Sequence, residues 1–245
     1  MILVELEGRV RVITLDRAEK RNALTPEMLE ELRAAVAADA VEAAALLVRG
    51  DGPVFCSGFD LGRCKYDDPT QPTMRRYLVL LHEAIGAMRD QPRPIVLCAA
   101  GAAIAGGCAL LGGADIVVAD ADTKIGYPVT RLGISPAVSA PFLARDAGAG
   151  AARARLLDGG LISGERAAEL GIIHELERDV DAAHAKAIEL AASLAAKPTR
   201  AVRDTKRWLD EVAAVIKAEK SLETSVNQAG TGEAIERLDM LWNKP

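Results

Sequence analysis

Aromatic side chains are scarce in this chain of 245 residues: three Phe, three Tyr and two Trp make up 3% of it, while half is AVILMFWYC. A core of the size such a length can bury must therefore be built from Ala, Leu, Val and Ile, which favours close packing of helices on a sheet. Basic excess is missing too. Against 30 Lys and Arg stand 35 Asp and Glu, a formal net charge of −5, and that argues against nucleic acid, whose phosphates select a basic face. No apolar run approaches the roughly 18 residues of a membrane span. The first residues, Met1 to Leu6, read as a strand and lack the charged and long apolar regions of a signal peptide. Cysteine is limited to Cys56, Cys64, Cys98 and Cys108, with no C-x-x-C spacing. Reduced, mostly buried thiols in a cytoplasmic protein are the expectation, and no cluster has the spacing of a metal site.

What is present is a regular alternation of elements. Two short alternating runs, Ile2 to Leu6 and Val10 to Leu15, hinge at Glu7-Gly8-Arg9 and predict a hairpin. Thr25-Pro26-Glu27 starts a helix, with a capping hydroxyl and Pro at the first helical position, and Met28, Leu29, Leu32, Ala35 and Val36 follow helical spacing. Ala45 to Val48 is a short buried strand closed by a turn cluster at Arg49 to Pro53. A helix runs from about Met74 to Met88, Pro92 and Pro94 end it, and Ile95 to Cys98 is the next strand. Gly101 to Gly113 reads as a Gly/Ala-rich helical segment, followed by a strand at Ile116 to Val118. Strand, helix, strand, helix in that order points to parallel strands with crossover helices. After Pro136 the pattern is mostly helical, Lys197-Pro198 breaks it, and two further helices close the chain.

Two glycine turns carry the functional signal. In Phe55-Cys56-Ser57-Gly58-Phe59-Asp60-Leu61, Gly58 can adopt angles closed to other residues and so aim the Phe59 N–H into a cleft. The second turn, Gly101 to Leu110, follows the next long strand and opens a helix, whose first N–H groups are unpaired and carry partial positive charge. Two such donors converging on one oxygen make an oxyanion hole.

With these turns on the page, the chain resembles the crotonase superfamily, the enoyl-CoA hydratase/isomerase group. The matching pieces are Asp16 to Leu24, Phe55 to Leu61, Gly101 to Ile116, Lys124-Ile125-Gly126-Tyr127-Pro128, Leu132-Gly133-Ile134, and Ser163 to Ala167 with Leu170-Gly171-Ile172. The resemblance implies an α/β fold, a spiral of ββα turns, with residues 1–195 as the acyl-CoA-binding core and residues 196–245 as a C-terminal helical segment used in trimerisation. It implies an acyl-CoA substrate of lipid metabolism, with coenzyme A arriving as part of the substrate and no other cofactor. It places the thioester oxygen on the N–H groups of Phe59 and Gly106, and Ala18, Lys20, Ser57, Asp60 and Leu61 at the nucleotide end. The assembly it implies is a homotrimer or a dimer of trimers. Trp208, Val212, Val215 and Ile216 recur at helical spacing in a segment too thin to bury them alone.

The resemblance also defines a departure. Hydratases of the superfamily use two glutamates, one three residues after the second oxyanion glycine and one directly after the Pro of the Gly-x-Pro segment. Those positions are Ala109 and Val129 here, and methyl groups cannot move a proton. Thr130 and Arg131 beside them titrate too high or stay protonated. Candidate substitutes are His82, spaced on its helix with Leu78, Leu81 and Ile85, and Tyr127, beside the missing glutamate position. Tyr66, Asp67 and Asp68 precede that helix and could close over a ligand, while His174 and His184 fall in late helical stretches as surface or interface residues. Three functions stay open: a lyase or isomerase whose enolate chemistry, such as decarboxylation or C–C cleavage with His82 activating water, needs the hole but not the two glutamates; an enoyl-CoA hydratase or isomerase with a substitute acid–base pair; and a non-catalytic acyl-CoA binder.

Overall fold

The computed structural model of the chain describes residues 1–39, 41–65, 72–212, 223, 226–227 and 232–242. Tyr66, Asp67, Asp68, Val215 and Ile216, and the side chain of Val212, lie outside the described residues.

The predicted hairpin is present: β1 (Ile2–Glu7) pairs antiparallel with β2 (Val10–Leu15). The strands β3 (Ala45–Gly50), β4 (Ile95–Cys98), β6 (Ile116–Asp120) and β9 (Glu175–Glu177) then add in parallel, giving the order β1-β2-β3-β4-β6-β9. A second sheet, β5 (Ala102–Ile104), β7 (Lys124–Gly126) and β8 (Leu161–Ile162), stands beside it.

The inner strands β3, β4 and β6 are buried on both sides, and the core divides accordingly. Leu46, Val48, Ile95, Leu97, Val117 and Ala119 face one cluster with helices α1 (Pro26–Ala37) and α2 (Pro72–Asp90). Their neighbours Ala45, Leu47, Val96, Cys98 and Val118 face the other, against α6 (Val180–Ala196). Continuous apolar runs are what a parallel sheet covered on both faces requires. Helix α6 buries Ala183, Ala187, Ala191 and Ala195, a four-residue ridge of methyl groups. A helix so lined can approach the sheet closely, which is how a core poor in aromatics is filled.

Local chemistry starts the helices. The Thr25 hydroxyl accepts from the Met28 N–H at 3.2 Å, with Pro26 at the first helical position, and Asp179 caps α6 through the Ala182 N–H at 2.8 Å. The remaining helices are α3 (Gly106–Leu110), α4 (Ala140–Asp158), α5 (Gly164–Glu169), α7 (Thr199–Val212) and α8 (Gly232–Trp242).

Two expectations need correction. Gly101 to Gly113 is not one helical segment: it contains β5 and then the five-residue α3, ending in a 3-10 turn. The stretch after Pro136 is mostly helical as expected, but it also holds β8 and β9, and His174 stands just before β9 rather than in a helix. Strands of two or three residues are too short for hydrophobic alternation to register. They exist because a neighbouring strand offers its edge.

Candidate functional site

The site forms where three separate segments pair. Leu24 bridges Phe59 in parallel, with the Leu24 N–H donating to the Gly58 carbonyl and the Asp60 N–H to the Leu24 carbonyl, both at 2.8 Å. Three residues earlier, Cys56 bridges Ala103, with the Cys56 N–H on the Ala102 carbonyl and the Ile104 N–H on the Cys56 carbonyl, both at 3.0 Å. The 55–60 segment is thus the middle strand of a small ladder. Because Gly58 O and Asp60 N face Leu24, the Phe59 N–H faces the opposite side, toward the chain that leaves β5. That chain turns through Ala105, at φ 52 and ψ −112, and begins α3 at Gly106. Such angles cost a non-glycine residue about 1–3 kcal/mol and are held by their surroundings, here by the Ala105 N–H on the Gly126 carbonyl at 2.8 Å. As the first residue of α3, Gly106 has no intrahelical acceptor for its N–H.

Glycine is required at both turns. Gly58 has φ +99, and a β-carbon there would sit 3.0 Å from the Ile104 carbonyl oxygen and 3.8 Å from the Gly106 nitrogen. A β-carbon on Gly106 would fall 2.8 Å from Cε1 of Phe59. The Phe59 ring stacks on Tyr77 of α2, with centroids 4.5 Å apart and planes 14° apart, and the Tyr77 hydroxyl donates to the Asp60 carbonyl at 3.2 Å.

The loop from Arg17 to Asn22 locks onto this turn. Asn22 is fully buried at φ 52, and its amide donates to the carbonyls of Asp51 and Val54 at 2.8 and 2.7 Å. Arg17 pairs with the Asp60 carboxylate at 2.8 Å and donates to the Ala23 carbonyl at 3.0 Å. The Asp60 side chain is therefore engaged within the protein. Ala18 and Lys20 bound a 3-10 turn on the rim, with Lys20 exposed.

Below the turns lies a cavity of about 160 Å³. Ser57, Phe59, Leu61, Gly106, Ala109, Tyr127 and Val129, seven of the eleven residues expected at the site, share its wall. The remaining wall is mostly aliphatic, with Ser135 and Ser139 adding hydroxyls that sequence reasoning did not single out. Among the described residues, no Asp, Glu, His, Lys or Arg lines it. The buried Tyr127 hydroxyl donates to the Cys108 carbonyl at 3.2 Å, and burial above all pushes the phenol well above its ordinary range. It is a fixed dipole, not a base.

His82 stands elsewhere. Helix α2 turns Met74, Leu78 and Leu81 to the cavity, Ile85 is packed into the core, and His82 is half-buried off the wall, its Nδ1 without a hydrogen-bond partner. Spacing put it on the correct helix but not on the lining stripe. Of the late histidines, His174 is exposed and accepts the Val117 N–H at Nδ1 at 2.9 Å, and His184 lies 3.7 Å from the Cys98 sulfur with burial lowering its basicity. Among the described residues there is no group of three side chains able to hold a metal, and no helix is long and apolar enough to cross a membrane.

Three residues that build the site were missed as site residues: Arg17, Asn22 and Tyr77. A usable signal existed for Asn22, since a buried asparagine in a loop suggests a backbone organiser. None existed for Tyr77, whose spacing on α2 looks like that of any core residue.

Comparison with known proteins shows the family. The family described as Enoyl-CoA hydratase/isomerase matches residues 5–234. A "Probable enoyl-CoA hydratase" of Rhodobacter capsulatus is 36% identical over 196 residues, covering 78% of this chain and 75% of that protein. The "Probable enoyl-CoA hydratase EchA14" of Mycobacterium tuberculosis is 32% identical over 210 residues, covering 84% and 79%. The crystal structure of an enoyl-CoA hydratase/isomerase from Xanthobacter autotrophicus Py2 superposes with a TM-score of 0.89 at 29% identity, covering 99% of this chain and 93% of the other. The chain belongs to the enoyl-CoA hydratase/isomerase family, and its fold is the crotonase fold.

Proposed function

We propose that the cavity takes a short acyl-CoA thioester with its carbonyl oxygen between the N–H groups of Phe59 and Gly106, and that the reaction is decarboxylation of a malonyl-type acyl group. The observation that carries this is the wall itself: two backbone donors at one end, and among the described residues no carboxylate, imidazole or amine anywhere else. An apolar cavity of ~150 Å³ accepts a benzene-sized molecule, so the acyl group is of about that bulk.

The step needs no protein base. The bond from the α-carbon to the carboxylate breaks, CO₂ leaves, and the electron pair becomes the enolate, whose charge collects on the thioester oxygen. Two donors at that oxygen stabilise the charge, and loss of one such donor typically costs ~10²–10³ in rate. Water then protonates the α-carbon, so each turnover consumes one proton. The methyl groups of Ala109 and Val129 assist in a second way, because an apolar wall disfavours a localised carboxylate more than a delocalised enolate. Hydrolytic C–C cleavage would need an activated water. Its only sequence candidate, His82, lies off the wall. At the nucleotide end, Ala18, Lys20, Ser57, Asp60 and Leu61 contribute through backbone and rim contacts, Asp60 by way of its pairing with Arg17.

The names of the relatives favour a second reading, hydration of a conjugated enoyl-CoA. It would require Tyr127 to act as acid or base from a hydroxyl held by Cys108 and resistant to ionisation. One experiment separates the readings: purified protein is mixed with methylmalonyl-CoA and, separately, with crotonyl-CoA, following CO₂ release and loss of the conjugated absorbance. CO₂ release alone supports decarboxylation, loss of absorbance alone replaces it with hydration, and neither, with tight acyl-CoA binding, leaves a binder.

The assembly we propose is a trimer or a pair of trimers. Trp208 and Leu209 on α7 are 60% and 64% exposed, an apolar face left uncovered among the described residues. Light scattering at micromolar concentration should report a multiple of three; a monodisperse monomer would remove the proposal.

A further inference from the structure

We infer that Tyr77 is the positioning residue of the oxyanion site, holding the Phe59–Asp60 unit so that the Phe59 N–H stays aimed at the thioester oxygen. This rests on the reading of the site given above and adds to it a residue from outside the cavity. Tyr77 is fully buried and, unlike Met74, Leu78 and Leu81 of the same helix, does not line the wall. It acts on the donor through two contacts.

The first contact is the ring. Phe59 stacks on the Tyr77 ring at 4.5 Å, and its ring edge lies close enough to Gly106 that a β-carbon there would fall 2.8 Å from Cε1. Stacking of this kind is worth about 0.5–1.5 kcal/mol beyond buried area, and with Gly106 close by it restricts the Phe59 side chain. The second contact is the hydroxyl. It holds the Asp60 carbonyl at 3.2 Å, while the Asp60 N–H is held by Leu24 at 2.8 Å and its carboxylate by Arg17 at 2.8 Å. The residue after the donor is thus tied at its N–H, its carbonyl and its side chain. Burial, the leading cause, raises the Tyr77 phenol above its ordinary range, so the hydroxyl remains a donor at any pH where the protein works.

Such precision matters because a donor works only if it is preorganised where charge develops. Helix α2 also supplies Met74, Leu78 and Leu81 to the wall. One rigid element therefore seats the acyl chain and fixes the donor.

The test uses the full chain with butyryl-CoA carrying ¹³C at the thioester carbonyl, read by difference infrared spectroscopy, together with kcat and KM for CO₂ release from methylmalonyl-CoA. Tyr77→Phe keeps the ring and loses the hydroxyl; Tyr77→Leu loses both. In the unmodified protein, binding should lower the carbonyl frequency. Tyr77→Phe should lose part of that shift and Tyr77→Leu most of it, with kcat falling about tenfold and roughly 10²-fold respectively, and KM within about threefold of the original. A purely structural role would move the melting temperature but leave the frequency in the folded fraction unchanged. If the unmodified protein shifts the carbonyl and Tyr77→Phe and Tyr77→Leu shift it equally, the inference about Tyr77 is overturned while the site stands. If the unmodified protein produces no shift, the oxyanion reading falls and Tyr77 with it. Should Tyr77→Leu not fold, Tyr77→Phe decides, since an unchanged shift and kcat there exclude the hydroxyl's part in holding Asp60.

Discussion

Two cavities lie at opposite ends of the same parallel strands, and their chemistry is inverted. The cavity beneath the Phe59 and Gly106 turns opens beyond the carboxyl ends of β3 and β4, where ligands of open parallel sheets bind, and among the described residues no charged side chain lines it. The other, of about 650 Å³, sits before β4 and β6 under α7 and is lined by Asp115, Arg145, Asp146, His174, Lys197 and Lys206 among others. Its charges are spent on architecture. Lys206, only 8% exposed, meets Asp115 at 2.8 Å and donates to the Arg93 carbonyl at 3.2 Å, while Asp115 also accepts the Ile95 N–H at 2.7 Å. Arg145 pairs with Asp146 at 2.6 Å. Ionised groups thus secure α7 to the sheet, and backbone dipoles are left to the proposed site. Counting titratable residues would have pointed to the wrong cavity.

The largest expected effect comes from erasing that contrast. Ala109→Glu with Val129→Glu should raise crotonyl-CoA hydration by several orders of magnitude, since general acid–base groups contribute roughly 10²–10⁴-fold each. Either change alone should do far less, because groups acting as a unit are non-additive. Steady-state assays on folded protein check this, allowing for an overpacking cost of ~1–3 kcal/mol. An already efficient hydration by the unmodified protein would show that a proton-transfer pair lies outside the described wall.

Next in size, Gly106→Ala should lower kcat for CO₂ release by ~10²–10³, because the added methyl overlaps the Phe59 ring and forces the two turns apart. Circular dichroism should show the fold retained. At the other end, Lys206→Ala should reverse the pattern: about 3 kcal/mol lost in urea unfolding, the low end of the roughly 3–5 for a broken buried pair because Asp115 keeps some solvent, with the kcat of the folded protein unchanged. If Lys206→Ala abolishes turnover in folded protein, the two cavities are coupled and the division drawn here is wrong.

The last effect is absent at neutral pH and appears only in alkaline solution. Burial pushes the Cys56, Cys98 and Cys108 thiols up to about 12 from 9.0. A raised thiol binds its proton more tightly when folded, so its contribution to stability is complete below pH 9 and is lost as pH rises toward 12. The slope is about 1.4 kcal/mol per pH unit for each such thiol. Melting temperatures should be flat in this respect at neutral pH and fall above pH 9, and replacing all three by Ala or Val should flatten the alkaline limb.

Much of the fold was legible because it is written locally. Val10 to Leu15, the Thr25-Pro26 start of α1, the α2 stripe and Ile95 to Cys98 each declare themselves within a few residues, by alternation, capping or helical period. The two turns at Gly58 and Gly106 were legible for the same reason, since a glycine before a helix or after a strand limits where the chain can go. Position 82 was not: one residue is a rotation of 100° on a helix, and only packing decides whether Leu81 or His82 meets the cavity.

By itself, then, the sequence determined the order of the strands of four or more residues and of the helices between them, the two turns and the absence of glutamate at positions 109 and 129. Tertiary structure alone decided that Leu24 and Ala103 flank the 55–60 segment from opposite sides, which sets the direction of the Phe59 N–H. It also brought Tyr77 over Phe59 and Lys206 to Asp115, the latter pair 91 residues apart in the chain. The physical reason is range. Periodicity and caps act over one or two turns of chain, whereas an aimed hydrogen bond or a buried ion pair exists only once distant segments have closed on each other.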